Sequence, residues 1–329
     1  MPKLRAMLVL LLISPSDGLC VQGLPPTWLG KSRFAAAGFG RSSGIVAKPM
    51  PEHFPYGSSN FEDIRRSGQF FRDNTRCIAE LESLQKAGTV LLTRPTRWGK
   101  TMLQRMLMVY YDEHTTQQKY EELFRGLHVY NHTTEGRGKY QVLSLNFASA
   151  SWGSTPDARK SALWKHINDE CASFAKKYGY KKELVPDEDA MITLKRLASA
   201  VKARRDSWGW RRGWRRKRPW RTRPPELYIF IDEYDSHIYP LLRRSPFLQE
   251  PTEAAREDLN SGVPVVTALD QLKELQAVGL VSRCMITGLA RVKLADASKA
   301  NNIKVISAKN KLGDAAALAS TTSRGAWTI

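Results

Sequence analysis

Residues 89–104 read TVLLTRPTRWGKTMLQ. Val90, Leu91 and Leu92 form a short apolar run that predicts a buried strand. A tight turn follows and ends in Gly99-Lys100-Thr101, after which Met102, Leu103, Met106, Leu107 and Tyr110 recur at helical spacing. Strand, short loop, Gly-Lys-Thr and helix make the arrangement that a phosphate-binding loop of a nucleotide site needs. Backbone N–H groups at the start of the helix face an anion, Lys100 adds a point charge, and Thr101 offers a hydroxyl to Mg²⁺. Such loops usually open with a glycine at the place held here by Arg94, which Pro95 follows. Taken alone, a bare Gly-Lys-Thr is equally a helix N-terminus with a solvated lysine.

A second stretch shifts that balance. Residues 227–235 read LYIFIDEYD, an aromatic and β-branched run that ends in the adjacent carboxylates Asp232 and Glu233. A buried strand that delivers an acid pair at its C-terminal end can place a Mg²⁺-binding Asp and a water-activating Glu beside a phosphate loop. The third stretch, RCMITGLAR over 283–291, predicts a core strand at 284–286 that ends in Thr287 and Gly288, with Arg291 close behind. In P-loop ATPases a polar residue on a neighbouring strand orients the attacking water, and an arginine can meet the γ-phosphate. Thr287 and Arg291 are the candidates, although the stretch by itself also reads as a plain strand and turn.

The order of motifs is more specific than any one of them. Pro55-Tyr56-Gly57, Phe61-Glu62-Asp63-Ile64 and Asp73-Asn74-Thr75 precede the Arg94–Thr101 loop. Leu123–Leu127, Leu143–Phe147, Ile231–Asp235 and Thr287-Gly288-Leu289 follow it. In this order the segments resemble the AAA-ATPase-like family, P-loop proteins often joined to a PD-(D/E)XK nuclease-like domain. The resemblance runs from about residue 51 to the end of the chain, and the loop without its first glycine is a feature of the family. Thr96 departs from an arginine, and His237 from a proline, that the family usually carries.

The resemblance implies an α/β P-loop NTPase fold, a mostly parallel sheet flanked by helices, with the acid-pair strand near the loop strand. It also implies ATP and Mg²⁺ as ligands. The expected nucleotide-binding set is Arg94, Arg97, Trp98, Gly99, Lys100 and Thr101, with Lys100 and the N–H groups around Gly99 on the β- and γ-phosphates. Thr101 and Asp232 are the expected Mg²⁺ ligands. Glu233 polarises the water, Thr287 positions it, and Arg291 reaches the γ-phosphate. The activity implied is ATP hydrolysis coupled to conformational change. The alternative is a nucleotide-dependent binding module with little hydrolysis, recruiting nucleic acid or an unidentified protein, and an oligomer fits either reading. The lid-like helical region and nuclease-like domain of the family are not expected within these residues, and the chain ends as though cut off within the domain.

Charge is unevenly spread. The net charge of +19 places +5 in residues 1–50 and +10 in residues 202–223, leaving +4 for all the rest. The body of the chain is therefore only mildly basic, and its isoelectric point alone does not argue for nucleic acid. Residues 1–50 predict a targeting or disordered leader: Lys3 and Arg5 precede an apolar run over 6–13, too short to span a bilayer, and 23–48 are rich in Gly, Ala and Ser with no acid. That pattern suits import into an organelle; an untargeted tail, leaving the protein cytoplasmic, is the other reading. Residues 51–329 form the predicted domain, interrupted at 202–225 by a segment that interleaves arginines with Trp208, Trp210, Trp214 and Trp220. Guanidinium groups beside tryptophans suit phosphate pairing and base stacking on nucleic acid, or an anionic membrane surface; a disordered insertion is the plainer reading. The four cysteines, Cys20, Cys77, Cys171 and Cys284, lack metal-ligand spacing, and Cys284 is expected as a small buried hydrophobe.

Periodicity predicts helices over 60–66, 75–86, 118–124, 158–178, 188–202, 254–260 and 268–278, and a further strand over 141–147. Residues 236–248 are expected as a loop or short helix over the site, and the tail after 293 carries no strong core signal.

Overall fold

The computed structural model describes residues 55, 57–85, 88–153, 155–210, 225–238, 264–289 and 303–306, and among these it has eight α-helices, two single 3-10 turns (Phe147–Ser149 and Ser236–Ile238) and five strands. The expected leader over 1–50, the helix over 254–260, Arg291 and residues 211–224 of the basic segment lie outside the described residues.

Asn60 opens α1 (Phe61–Arg66), its side chain accepting from the Glu62 N–H at 3.2 Å. Then come α2 (Cys77–Gln85), β1 (Thr89–Thr93) and α3 (Lys100–Tyr111). The chain continues through α4 (Gln117–Phe124), a single turn α5 (His128–Asn131), β2 (Tyr140–Asn146), α6 (Pro156–Tyr178) and α7 (Ala190–Trp210). It closes with β3 (Glu226–Asp232), α8 (Pro264–Ala277), β4 (Arg283–Gly288) and β5 (Ile303–Ile306).

The strands form one sheet in the order β2-β3-β4-β1-β5, and every pairing is parallel. The apolar runs that suggested strands without alternation have this cause: both faces of the sheet are covered. Side chains alternate between two cores. Val90, Leu92, Val142, Tyr228, Phe230 and Met285 pack with residues of α1 to α5. Leu91, Leu143, Leu145, Ile229, Ile231, Cys284 and Ile286 pack with α6, α7 and α8. Cys77, Cys171 and Cys284 are buried free thiols, and burial pushes each thiol up to about 12, so all three serve as core residues.

Parallel pairing puts the C-terminal ends of all strands on one edge. The register pairs Leu92 with Thr287, Ile231 with Ile286 and Asn146 with Asp232. Asp232 and Thr287 are thus level with each other, one row beyond the last apolar pair. The acid-pair strand is not next to β1, because β4 lies between them.

Three elements differ from the sequence reading. β5 was not expected in the tail, yet it pairs with β1 from Thr89 to Leu92. The turn α5 was not foreseen. α7 runs eight residues beyond its expected end at 202, into the basic segment. Arg204 there donates to the Tyr178 and Gly179 carbonyls at 2.8 Å each and lies 3.6 Å from the centre of the Tyr180 ring. Its donors satisfy the C-terminal carbonyls of α6, as helix ends require. Arg205 reaches Asp206 and Glu226. These two arginines therefore belong to the fold, and the segment expected as an insertion from 202 begins as a packed helix. Among the described residues, no helix is long and apolar enough to cross a membrane.

Candidate functional site

The loop after β1 is anchored at both ends. The Arg94 N–H donates to the Gly288 carbonyl at 3.1 Å, tying the loop to the end of β4. Gly99 precedes α3 with φ 76° and no side-chain cap bond. The first N–H groups of α3 are thus left without a capping side chain, which is the geometry that attracts an anion. Arg97, with φ 64°, is left-handed as well, and the one other non-glycine in that region among the described residues is Glu233, with φ 49°. Each such residue costs on the order of 1 kcal/mol and persists only where its surroundings impose it. The two face the same sheet edge, at the ends of β1 and β3.

Lys100 is buried. Its ammonium donates to the carbonyls of Arg94 at 2.9 Å and Pro95 at 3.0 Å, folding the side chain back over its own loop. Burial holds its pKa below the usual lysine value, and the carboxylates of Asp232, Glu233 and Asp235 act in the opposite direction. The guanidinium of Arg94 lies 5.6 Å from the centre of the Trp98 ring; Arg94 is buried, while Arg97 is exposed and Trp98 half-buried.

Thr101, the second residue of α3, donates its hydroxyl to Asp232 Oδ2 at 2.7 Å. Asp232 Oδ1 accepts from the Thr287 hydroxyl, and from the Glu233 N–H at 3.0 Å. The buried carboxylate at the end of β3 is thereby joined to α3 on one side and to β4 on the other. Glu233, half-buried beside it, has its pKa raised by burial first and by Asp232 second, with Asp235 adding and Lys100 offsetting.

Behind these groups sits a residue the sequence reading missed. Gln104 is 2% exposed, and its amide donates to the Ile231 carbonyl at 2.9 Å and to Thr287 Oγ1 at 3.0 Å. The one sequence signal was a polar residue inside the apolar stripe of α3, three positions after Thr101.

A family model described as a predicted AAA-ATPase matches residues 55–298. The chain belongs to that predicted AAA-ATPase family. Neither the curated proteins nor the solved structures gave a match. The ends of β3 and β4 in this AAA-ATPase-family chain are knitted closely. The Tyr234 N–H donates to the Thr287 carbonyl at 3.1 Å, and the Leu289 N–H donates to Asp235 Oδ2 at 2.8 Å. Asp235 therefore holds the β4 loop. Gly288 lies between them: a Cβ there would stand 2.4 Å from Tyr234 Cε1 and 2.8 Å from Asp235 Oδ1. A Gly288→Ala chain should consequently lose about 1–3 kcal/mol through overpacking, read as a lower midpoint in urea unfolding. An unchanged midpoint would mean the contact relaxes freely.

His237, which departs from the family's usual proline, is buried against Trp152 with ring centres 5.6 Å apart. Its Nδ1 lies 3.2 Å from the Tyr234 carbonyl, which can only accept, so Nδ1 carries the proton. Burial pulls the imidazole down to about 4, so it is neutral at physiological pH. Thr96, the other departure, is exposed in the loop.

Of the residues singled out from sequence, Gly99, Lys100, Thr101, Asp232, Glu233 and Thr287 lie at one sheet edge. Arg94, Arg97 and Trp98 lie in the loop itself.

Proposed function

We propose that this edge binds the phosphates of ATP with Mg²⁺ and hydrolyses the terminal phosphate. The observation that carries the reading is the Thr101–Asp232 hydrogen bond of 2.7 Å, made across an intervening strand. It joins a hydroxyl and a buried carboxylate beside a helix start that lacks a capping side chain and a buried lysine. All-oxygen donors suit a hard cation such as Mg²⁺, which keeps waters and phosphate oxygens as its other ligands. Thr101 and Asp232 would hold it, and it would supply charge neutralisation on the phosphates.

The remaining roles belong to the chain's own groups. Lys100 is folded onto the carbonyls of its own loop. On phosphate binding it would exchange those neutral acceptors for anionic ones, a stronger pairing. The N–H groups around Gly99 would face the same phosphates. Arg94 and Arg97 add positive charge at the loop, and Trp98 packs beside Arg94. Glu233 would take the proton of the attacking water, a task helped by a pKa raised from its ordinary value by burial and by Asp232. Arg291, outside the described residues, would be the γ-phosphate contact on the strength of the sequence alone.

The test is phosphate release from ATP by the full chain. Release that requires Mg²⁺ and stops on chelation is expected; no release at saturating ATP would remove hydrolysis from the reading.

A second reading, nucleotide binding with little turnover, is favoured by one observation. Thr287 is 0% exposed, and its hydroxyl is already given to Asp232, so it presents no surface to a water. Under that reading nucleotide binds and phosphate release stays at background. Contact with nucleic acid through residues 202–223 belongs to this second reading; Arg204 and Arg205 are engaged with the fold, so it would rest on the arginines and tryptophans of 211–223, which lie outside the described residues.

A further inference from the structure

We infer that Gln104 is a positioning residue that sets the Mg²⁺ affinity of this site by fixing the direction of the Thr287 hydroxyl. The inference rests on the proposed nucleotide reading and adds a residue that no motif marks.

The argument is one of hydrogen-bond accounting. The Ile231 carbonyl can only accept, so the group of Gln104 that faces it at 2.9 Å must be the amide NH₂. The same nitrogen lies 3.0 Å from Thr287 Oγ1 and donates its second hydrogen there. With a lone pair of Oγ1 occupied, the Thr287 proton is directed to its other neighbour, Asp232 Oδ1. That oxygen also accepts the Glu233 N–H, while Oδ2 accepts from Thr101. Asp232 is thus clamped from β4, from its own turn and from α3. A backbone carbonyl on β3, read through Gln104, decides which way the clamp on β4 points.

The burial of the parts makes the arrangement stiff. Thr287 is 0% exposed and Gln104 2% exposed, so water does not readily replace either bond. Partners behind a metal ligand that orient it typically change metal affinity about 10–100-fold when removed. Gln104 therefore acts on the cation through Thr287 and Asp232, without touching it.

The test uses the full chain, a fluorescent ATP analogue and a Mg²⁺ titration of its binding. Gln104→Met keeps the length of the side chain and removes both donors. Its Mg²⁺ midpoint should rise about tenfold, while binding of the analogue in chelator stays within about twofold of the unaltered chain. Thr287→Val should raise the midpoint similarly, and Gln104→Met with Thr287→Val should do no more than Thr287→Val alone, since the two act in series. Effects that add, or a Gln104→Met midpoint equal to that of the unaltered chain, would overturn the inference and leave the nucleotide reading standing. If the unaltered chain binds no analogue, the nucleotide reading falls and takes this inference with it. Should Gln104→Met fail to fold, Gln104→Leu decides the matter. It too removes both donors from this buried position, so the midpoint should again rise; an unchanged midpoint in a folded Gln104→Leu chain refutes the inference.

Discussion

A Lys100→Ala chain should fold and lose nucleotide binding. The ammonium now lies buried on two carbonyls of its own loop, opposite the carboxylates of Asp232, Glu233 and Asp235. Those acids make the edge hostile to phosphate unless a cation offsets them. Removing Lys100 deletes that offset along with a donor to the phosphates, and it leaves the α3 N–H groups as the remaining attraction. A charge-assisted hydrogen bond is worth about 1.5–3 kcal/mol. Adding the lost neutralisation, a fall in affinity of about 100-fold or more is expected, on the order of 3 kcal/mol. Lys100→Arg should not rescue it: a planar fork does not replace a point charge that fits under a tight loop. The loop carbonyls of Arg94 and Pro95 can turn to water, so thermal unfolding should move little. A folded Lys100→Ala chain that binds within about threefold of the unaltered protein, an equivalent of under 1 kcal/mol, would show that the loop is not the phosphate site.

Glu233→Gln should separate binding from turnover. The residue is isosteric, and at φ 49° either side chain carries the same backbone cost. Affinity for Mg²⁺-ATP should hold or improve slightly, because a negative charge beside the phosphates is removed. If Glu233 is the base, phosphate release should fall about 10²–10⁴-fold. The raised pKa gives a further sign to check. Turnover in the unaltered chain should climb as pH rises through a value higher than an ordinary glutamate's, since the base works deprotonated. The stability consequence runs the other way. A carboxyl whose folded pKa is raised contributes stability that is fully present below its unfolded value and lost as pH rises through the folded one. Glu233→Gln should accordingly be slightly more stable than the parent at neutral pH. Turnover undiminished by the substitution would assign the base elsewhere.

How much of this could be read from sequence depended on what each feature rests on. The TVLLT and LYIFID strands were legible because both faces of a covered parallel sheet are apolar, and an unbroken run of such residues has few other uses. That Thr101 and Asp232 would meet was legible because a strand–loop–helix pattern puts Lys100 and Thr101 at the start of α3 and an apolar run puts Asp232 at the end of β3. β5 was not, since four residues containing a lysine in a polar tail carry no pattern, and their pairing with β1 is a tertiary fact. The end of α7 was misplaced because Arg204 and Arg205 look like ligands for phosphate, while their acceptors, the Tyr178 and Gly179 carbonyls and Glu226, are about 20 or more residues away in sequence. The place of β4 between β1 and β3 was equally invisible: strand order is set by crossover connections, not by composition. That order makes Gln104 matter, because it brings the Ile231 carbonyl and the Thr287 hydroxyl within reach of one amide.

The central claim, that this sheet edge is a Mg²⁺-dependent phosphate site, is tested most directly by equilibrium binding of a fluorescent ATP analogue to the full chain with and without Mg²⁺. Saturable binding that tightens when Mg²⁺ is added, and is displaced by unlabelled ATP, is the result expected. A folded chain that leaves the analogue free at every Mg²⁺ concentration would contradict it.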